Sequence, residues 1–175
     1  AGANLAVANL DGASLAGARL ANASLVGASL VGASLDNASL VGARLDNARL
    51  DPIKADLFAV LDIASAEVPG LYDALMRGRV DGSTYEGECA CLVGTVAAVR
   101  HEKYDALSID LRPDSWRPAE RWFLAIRKGG TPQNSQVAAI TADWIRKWSS
   151  AKGIALPEYR VVSSVECPAA FGADI

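Results

Sequence analysis

Leucine occupies Leu5, Leu10, Leu15, Leu20 and every fifth position through Leu50, and alanine does the same from Ala3 through Ala48. The unit Ala-x-Leu-x-x thus runs ten times without a miss. A period of five fits neither the 3.6 of an amphipathic helix nor the 2.0 of a strand. On an α-helix, positions five apart differ by about 140°, so the leucines would wind around the whole cylinder and leave no apolar face. The frequent Gly and Ser would weaken that helix further. The period suits a chain that turns a corner every five residues and sends Ala and Leu inward from each side. The first fifty residues are therefore expected to form a solenoid.

On these ten units, Ala1 to Leu50 resembles the pentapeptide-repeat family, whose unit reads Ala-Asp/Asn-Leu-x-x. The resemblance implies a right-handed quadrilateral β-helix, a β-solenoid with four pentapeptides to a coil and the Leu and Ala inside. Ten units would then make about two and a half coils, stacked to about 12 Å at a strand-like spacing of about 4.8 Å. Ala1 and Gly2 sit in phase as the tail of a preceding unit, so the solenoid is expected to continue upstream of the given chain. Inward Leu and Ala with no Phe predict uniform coils and a dry interior. A stacked array exposes open ends that need caps, and the segment after Leu50 is expected to supply one.

Well-known members of the family protect or inhibit type II topoisomerases by presenting a DNA-like rod. Such a rod needs dense negative charge. Here Asp11, Asp36 and Asp46 stand against Arg19, Arg44 and Arg49, which sums to zero and disfavours DNA mimicry. Val26, Val31 and Val41 share one outward position of the unit, and Val7 lies at the next. Small apolar side chains on a flat surface can form a packing face for a partner or a symmetry mate, although single exposed valines are common on any surface.

The whole chain has 175 residues and a net charge of −3, which suits one domain, or one small domain with an appendage, better than a nucleic-acid binder. No run of about 18 strongly apolar residues is present, so no membrane span is expected. Three cysteines are too few for a disulfide framework and favour a reducing compartment. With no basic-then-apolar leader visible in the given chain, a cytoplasmic or particle-associated location is expected.

Asp51-Pro52 breaks the repeat and places the boundary between 1–50 and 51–175, the latter a small, mainly α (α+β) domain for capping and specificity. Ile53, Leu57, Val60, Leu61 and Ala64 follow helical spacing and would cap the last coil. A second helix is predicted over Pro69 to Arg77, with Gly78 as its stop. The charge polarity around Cys89 to Val99 favours a helix there, with a strand as the alternative. Arg121 to Arg127 suits a strand or a short helix ending at Gly129-Gly130. The clearest helix runs from about Pro132 to Ala151, with Thr131 as cap and Gly153 as stop. Tyr159 to Val165 reads as a terminal strand.

Few residues suggest chemistry. Cys89, Cys91, His101 and Cys167 could supply four zinc ligands, but one residue between the near pair is fewer than zinc sites favour. On a helix Cys89 and Cys91 would point about 200° apart. Buried structural thiols are the simpler reading. A Cys nucleophile with His101 as base is the enzymatic variant, though His101 sits among Arg100, Glu102 and Lys103 like a solvated helix end. Glu86 and Glu88 suit a helix dipole better than a hydrolase pair. Asp81-Gly82 reads as a turn. No phosphate loop, dinucleotide fingerprint or nucleophile elbow occurs, so no cofactor is expected. Trp144 and Trp148, one turn apart, belong to a core face. Trp116 and Arg117, in the Pro-flanked loop Arg112 to Pro118, are a candidate partner anchor, since Trp and Arg are enriched at hot spots. The expected function is a non-enzymatic structural or protein-interaction module, within a larger assembly such as a phage or prophage particle. Its partner would be another protein or a second copy. A Cys/His metal or thiol enzyme domain and a topoisomerase modulator are the alternatives.

Overall fold

The structure is a computed structural model that describes residues 2–35, 38, 40, 42–84, 90–114 and 117–159. In the repeat segment, every recorded bridge is parallel and joins residues twenty apart: Asn4 to Ser24, Asn9 to Ser29, Ser14 to Ser34, Ser24 to Arg44 and Ser29 to Arg49. Four five-residue units therefore make one coil. The residue between Ala and Leu carries the pairing. Ser24, for example, donates its N–H to Ala3 O at 2.9 Å and accepts from Leu5 N–H at 2.7 Å. Among the described residues this pairing stays at single bridges and never extends into a continuous strand.

Between bridges the chain turns through a bond from the Ala of one unit to the Leu of the unit before, as in Ala13 N–H to Leu10 O at 3.0 Å. The last residue of each turn before that Ala takes a positive φ, the geometry a type II turn demands. Gly or Asn fills this position at Gly2, Gly12, Gly17, Asn22, Gly27, Gly32, Gly42 and Asn47, and Val7 stands there once. Each corner sends its Leu inward. Leu25, Leu30, Leu35, Ala23 and Ala28 are buried, as the repeat predicts, while Leu5, Leu10 and Leu15 of the first coil are half-buried.

Helix α1 (Asp51–Ile63) grows directly out of the last unit: Lys54 N–H donates to Leu50 O at 3.0 Å, and Pro52 lies in the first turn. Its buried face is Ile53, Leu57, Val60 and Leu61, as the spacing predicts. A second element shares the task of ending the coil. Leu25 N–H pairs with Arg44 O of the next coil, and Leu45 N–H would need a carbonyl from a coil that does not follow. Gln136, the first residue of α5 (Gln136–Lys152), supplies it: Leu45 N–H donates to Gln136 Oε1 at 3.0 Å. The coil leucines and the helices form one hydrophobic cluster.

Helix α2 (Val68–Met76) ends as its sequence suggests. Gly78 has φ +66°, its N–H and that of Arg79 return to Leu75 O and Ala74 O, and a Cβ on it would come to 3.0 Å from the Gly129 backbone. Helix α3 (Leu92–Arg100) is shorter than the expected 89–99 helix. Ala90 makes a bridge to Val80 and Cys91 is extended, so the apolar run divides between the two structures it was compatible with. Helix α4 (Pro118–Phe123) corrects the expectation for Arg121 to Arg127. It starts earlier because Pro118 fixes the first turn, and it stops well before Gly129. Its own cap residue, Arg117, offers no capping side chain, and Asp56 of α1 does so instead, accepting from Ala119 N–H at 2.9 Å.

In α5 the cap is Ser135 rather than Thr131. Ser135 Oγ accepts from Ala138 N–H, whereas Thr131 closes a separate turn in which its N–H donates to Asn134 Oδ1 and its carbonyl accepts from Asn134 and Ser135 N–H. Gly153 ends the helix as expected, with φ +68°. Residues 154–159 have no regular structure, and the rest of the expected terminal strand lies outside the described residues.

A β-branched residue in the left-handed region costs roughly 1–2 kcal/mol, and Val7, at φ +61° and 81% exposed, recovers little of it by packing. Val7→Asn is expected to raise the unfolding free energy by about 1 kcal/mol in a urea titration; an unchanged or lower midpoint would count against the strain. Gln136→Leu removes the acceptor for Leu45 N–H and should cost about 1 kcal/mol, while Gln136→Glu, which keeps an acceptor, should cost clearly less.

Candidate interaction surface

The outer positions of the coil are set by the twenty-residue repeat rather than by the five-residue unit. Residues stacked on one corner differ by twenty, so Val26 lies over Ala6 and Val31 over Asp11. Val26 and Val31 are thus at successive corners and do not stack into one stripe; Val41 lies outside the described residues. Both valines are half-buried, and their carbonyls accept from Val7 and Gly12 N–H. Asp11 is occupied within the coil, where it accepts from Ser29 Oγ and from Val31 N–H. Arg44 and Asp46 pair at 3.5 Å with both side chains mostly in water, a contact of little energetic weight.

The Arg112 to Pro118 loop is tied to the core at Arg117. Its Nε lies 3.5 Å from Asp56 Oδ1, its Nη1 donates to Asp110 O at 3.0 Å, and its side chain is only 20% exposed. Asp56 thereby holds both Arg117 and the start of α4. Arg117 is a fixture of the loop rather than a free anchor, and Trp116 lies outside the described residues. The other tryptophans belong to the core. Trp122 stacks on Trp144 at 5.6 Å and donates to Thr141 Oγ1, while Trp148 Nε1 donates to Asp62 Oδ1 at 3.1 Å.

Cys91 and His101 do not meet. Cys91 is the buried cap at the start of α3, with its Sγ accepting from Gly94 N–H, and His101 is the exposed left-handed residue at the other end. The ten residue steps from one to the other span about 15 Å of helix, so these two cannot ligate one ion. Cys89 and Cys167 lie outside the described residues, among which no group of three or more metal-ligating side chains occurs. Burial and the neighbouring Glu120 carboxylate push the Cys91 thiol up to about 12, the opposite of an activated nucleophile.

Glu120 is a charged residue that no periodic pattern places inside. It lies on α4, 4% exposed, with Oε1 lacking any hydrogen-bond partner among the described residues. Burial raises its pKa to about 7, against the pull of the Cys91 thiol, the Arg117 charge and Val93 N–H.

A family profile described as pentapeptide repeats matches residues 13–51 in eight copies. Residues 13–51 are a pentapeptide-repeat segment. No curated protein and no solved structure matches the chain. The pentapeptide-repeat family points to a protein-interaction or structural module, and the helical part that follows carries no match of its own. Among the described residues no helix is long and apolar enough to cross a membrane.

Three features beside the pentapeptide repeats were missed in the sequence: Gln136, Asp56 and Glu120. Each is a polar residue whose neighbours in the fold lie far along the chain, and periodicity carries no signal for that. Glu120 makes stability depend on pH. Its folded pKa is raised above the ordinary 4.5, so the native state holds the proton more tightly and stability falls as pH rises from about 4.5 to about 7. Glu120→Gln should flatten this slope and stabilise the protein at pH 8 relative to the parent by up to about 3 kcal/mol. Urea unfolding at pH 5 and pH 8 checks it; equal slopes in the two proteins would refute the assignment.

Proposed function

We propose that the protein is a non-enzymatic structural or interaction module in which a short right-handed quadrilateral β-helix, residues 1–50, serves as a rigid spacer or docking face. Residues 51–175 cap that coil and give partner specificity. The observation that carries this reading is the single hydrophobic cluster running from Leu20 of the coil through α1 to Trp148 of α5. A continuous core couples the helical surface to the coil, so a partner held by one is positioned by the other. The twenty-residue parallel register supports the four-sided cross-section.

In this reading the partner is another protein or a second copy, recognised through the Trp116 loop, and the module works within a larger assembly. The loop is anchored by Arg117 and Asp56, so Trp116 is the residue to change and Arg117 is not. Native mass spectrometry of the protein isolated from its own source should show a defined complex or oligomer. Trp116→Ala should lower its occupancy at least tenfold without shifting the thermal midpoint. A monomer in the parent, or a complex untouched by Trp116→Ala, would contradict the proposal.

A further inference from the structure

Glu120 is the third residue of α4, and Arg117 is the N-cap of that helix. A glutamate at this position characteristically reaches back to the N-cap N–H. Here that N–H is taken by Asp114 O at 3.0 Å, and the Glu120 side chain lies inside instead, against the Cys91 thiol. Its Oε1 is buried with no hydrogen-bond partner among the described residues. A neutral carboxyl tolerates such a place far better than a carboxylate, because a buried charge without a paired cation is strongly unfavourable.

The cation beside this carboxyl is Arg117, and it is engaged elsewhere. Its Nε lies 3.5 Å from Asp56 Oδ1, and its Nη1 donates to Asp110 O at 3.0 Å. Asp56 uses its other oxygen to accept from Ala119 N–H. Two carboxylates, Asp56 of α1 and Glu120 of α4, thus stand around one guanidinium. Beyond burial, the Arg117 charge favours ionised Glu120 and the Asp56 charge opposes it. From α3 the Cys91 thiol and Val93 N–H face the carboxyl, while α5 meets α4 through Trp144 and Thr141 against Trp122, with no charge in that contact. A guanidinium carries five N–H donors, so Arg117 can serve Asp56 through Nε and a second carboxylate through Nη1 at once.

We propose that Glu120 is a proton-controlled latch on the Arg112 to Pro118 loop, holding that loop tied when protonated and releasing it when ionised. Protonated, Glu120 stays inside beside Cys91 and leaves Arg117 to tie the loop to Asp56 and Asp110 O. When the proton passes to solvent, the carboxylate turns outward toward its own N-cap and accepts from Arg117 Nη1. Asp110 O then loses its donor, and the loop is untied from residues 109–111. Asp56 keeps Arg117 Nε and Ala119 N–H, so the start of α4 stays in place. Burial pushes the Glu120 carboxyl up to about 7, so the loop is tied below neutral pH and released above it.

The test is an NMR titration of the whole ¹³C,¹⁵N-labelled chain from about pH 5 to about pH 9, above the ordinary carboxylate range. It is run in a His101→Asn background, which removes the chain's one histidine. The Glu120 carboxyl carbon, the Arg117 Nε–Hε signal and the Leu111 amide, which shares its peptide with Asp110 O, should move together with one midpoint near pH 7. In Glu120→Gln the Arg117 and Leu111 signals should stay at their low-pH positions throughout. In Arg117→Gln the Glu120 midpoint should rise by about one unit, and the Leu111 amide should no longer follow it. If neither variant folds, the coincidence of the three midpoints in the parent decides. A Glu120 carboxyl that titrates while Arg117 and Leu111 stand still would overturn the proposal. So would a Glu120 midpoint in the ordinary carboxylate range, or Arg117 and Leu111 signals that still move in Glu120→Gln.

Discussion

The parallel register between residues twenty apart is the constraint on which the rest depends. It fixes where the chain can turn, because each bridge must be followed by a corner that brings the next Ala and Leu inward. It also fixes the chemistry of the corner, since a turn this tight needs a positive φ that Gly and Asn adopt at little cost. The same register creates an edge at every place where a coil ends. Open edges of this kind pair with whatever offers a complementary backbone. Here α1 departs from Leu50 to cover the apolar end, and a side-chain amide from α5 takes the hydrogen bond that a further coil would have taken. The helical part is therefore bonded to the repeat by its termination chemistry as well as by its packing.

Much of this was legible in the residues. The ten units specify inward Leu and Ala, and apolar spacing with glycine stops located α1, α2 and the end of α5. What was not legible depends on long-range partners. Pro118 read as the end of a loop and Glu120 fell outside every expected element, because their roles come from Asp56, Cys91 and Val93, which lie far away in sequence. Thr131 resembled a cap, but the backbone at Asn134 used it for a turn first. The corner glycines were visible as a pattern, yet only the φ angles say which of the two outward positions is the strained one. On the candidate surface, equal places in successive units are a quarter of a coil apart, so Val26 and Val31 face different ways.

The helical part shows a second kind of economy. Asp56 serves α4 and Arg117 at once, and Asp73 serves Arg77, Arg79 and Tyr159. Carboxylates that accept several donors hold loops in place with few residues. Glu120 has no guanidinium paired to it and one oxygen without a partner among the described residues, and its burial sets a proton-linked cost on the fold. The contrast lies in burial and in whether a guanidinium pairs directly with the carboxylate, not in the type of side chain.

The four-unit coil has a geometric consequence. One unit is a quarter of a coil, so gain or loss of five residues before Leu50 would swing everything after it by about 90° around the coil axis and advance it by about 1.2 Å. Gain of four units would preserve the heading and add one rung of about 4.8 Å. Repeat number in such a chain is thus both a compass and a ruler. Length changes by whole coils alter only reach, and any other change re-aims the helices.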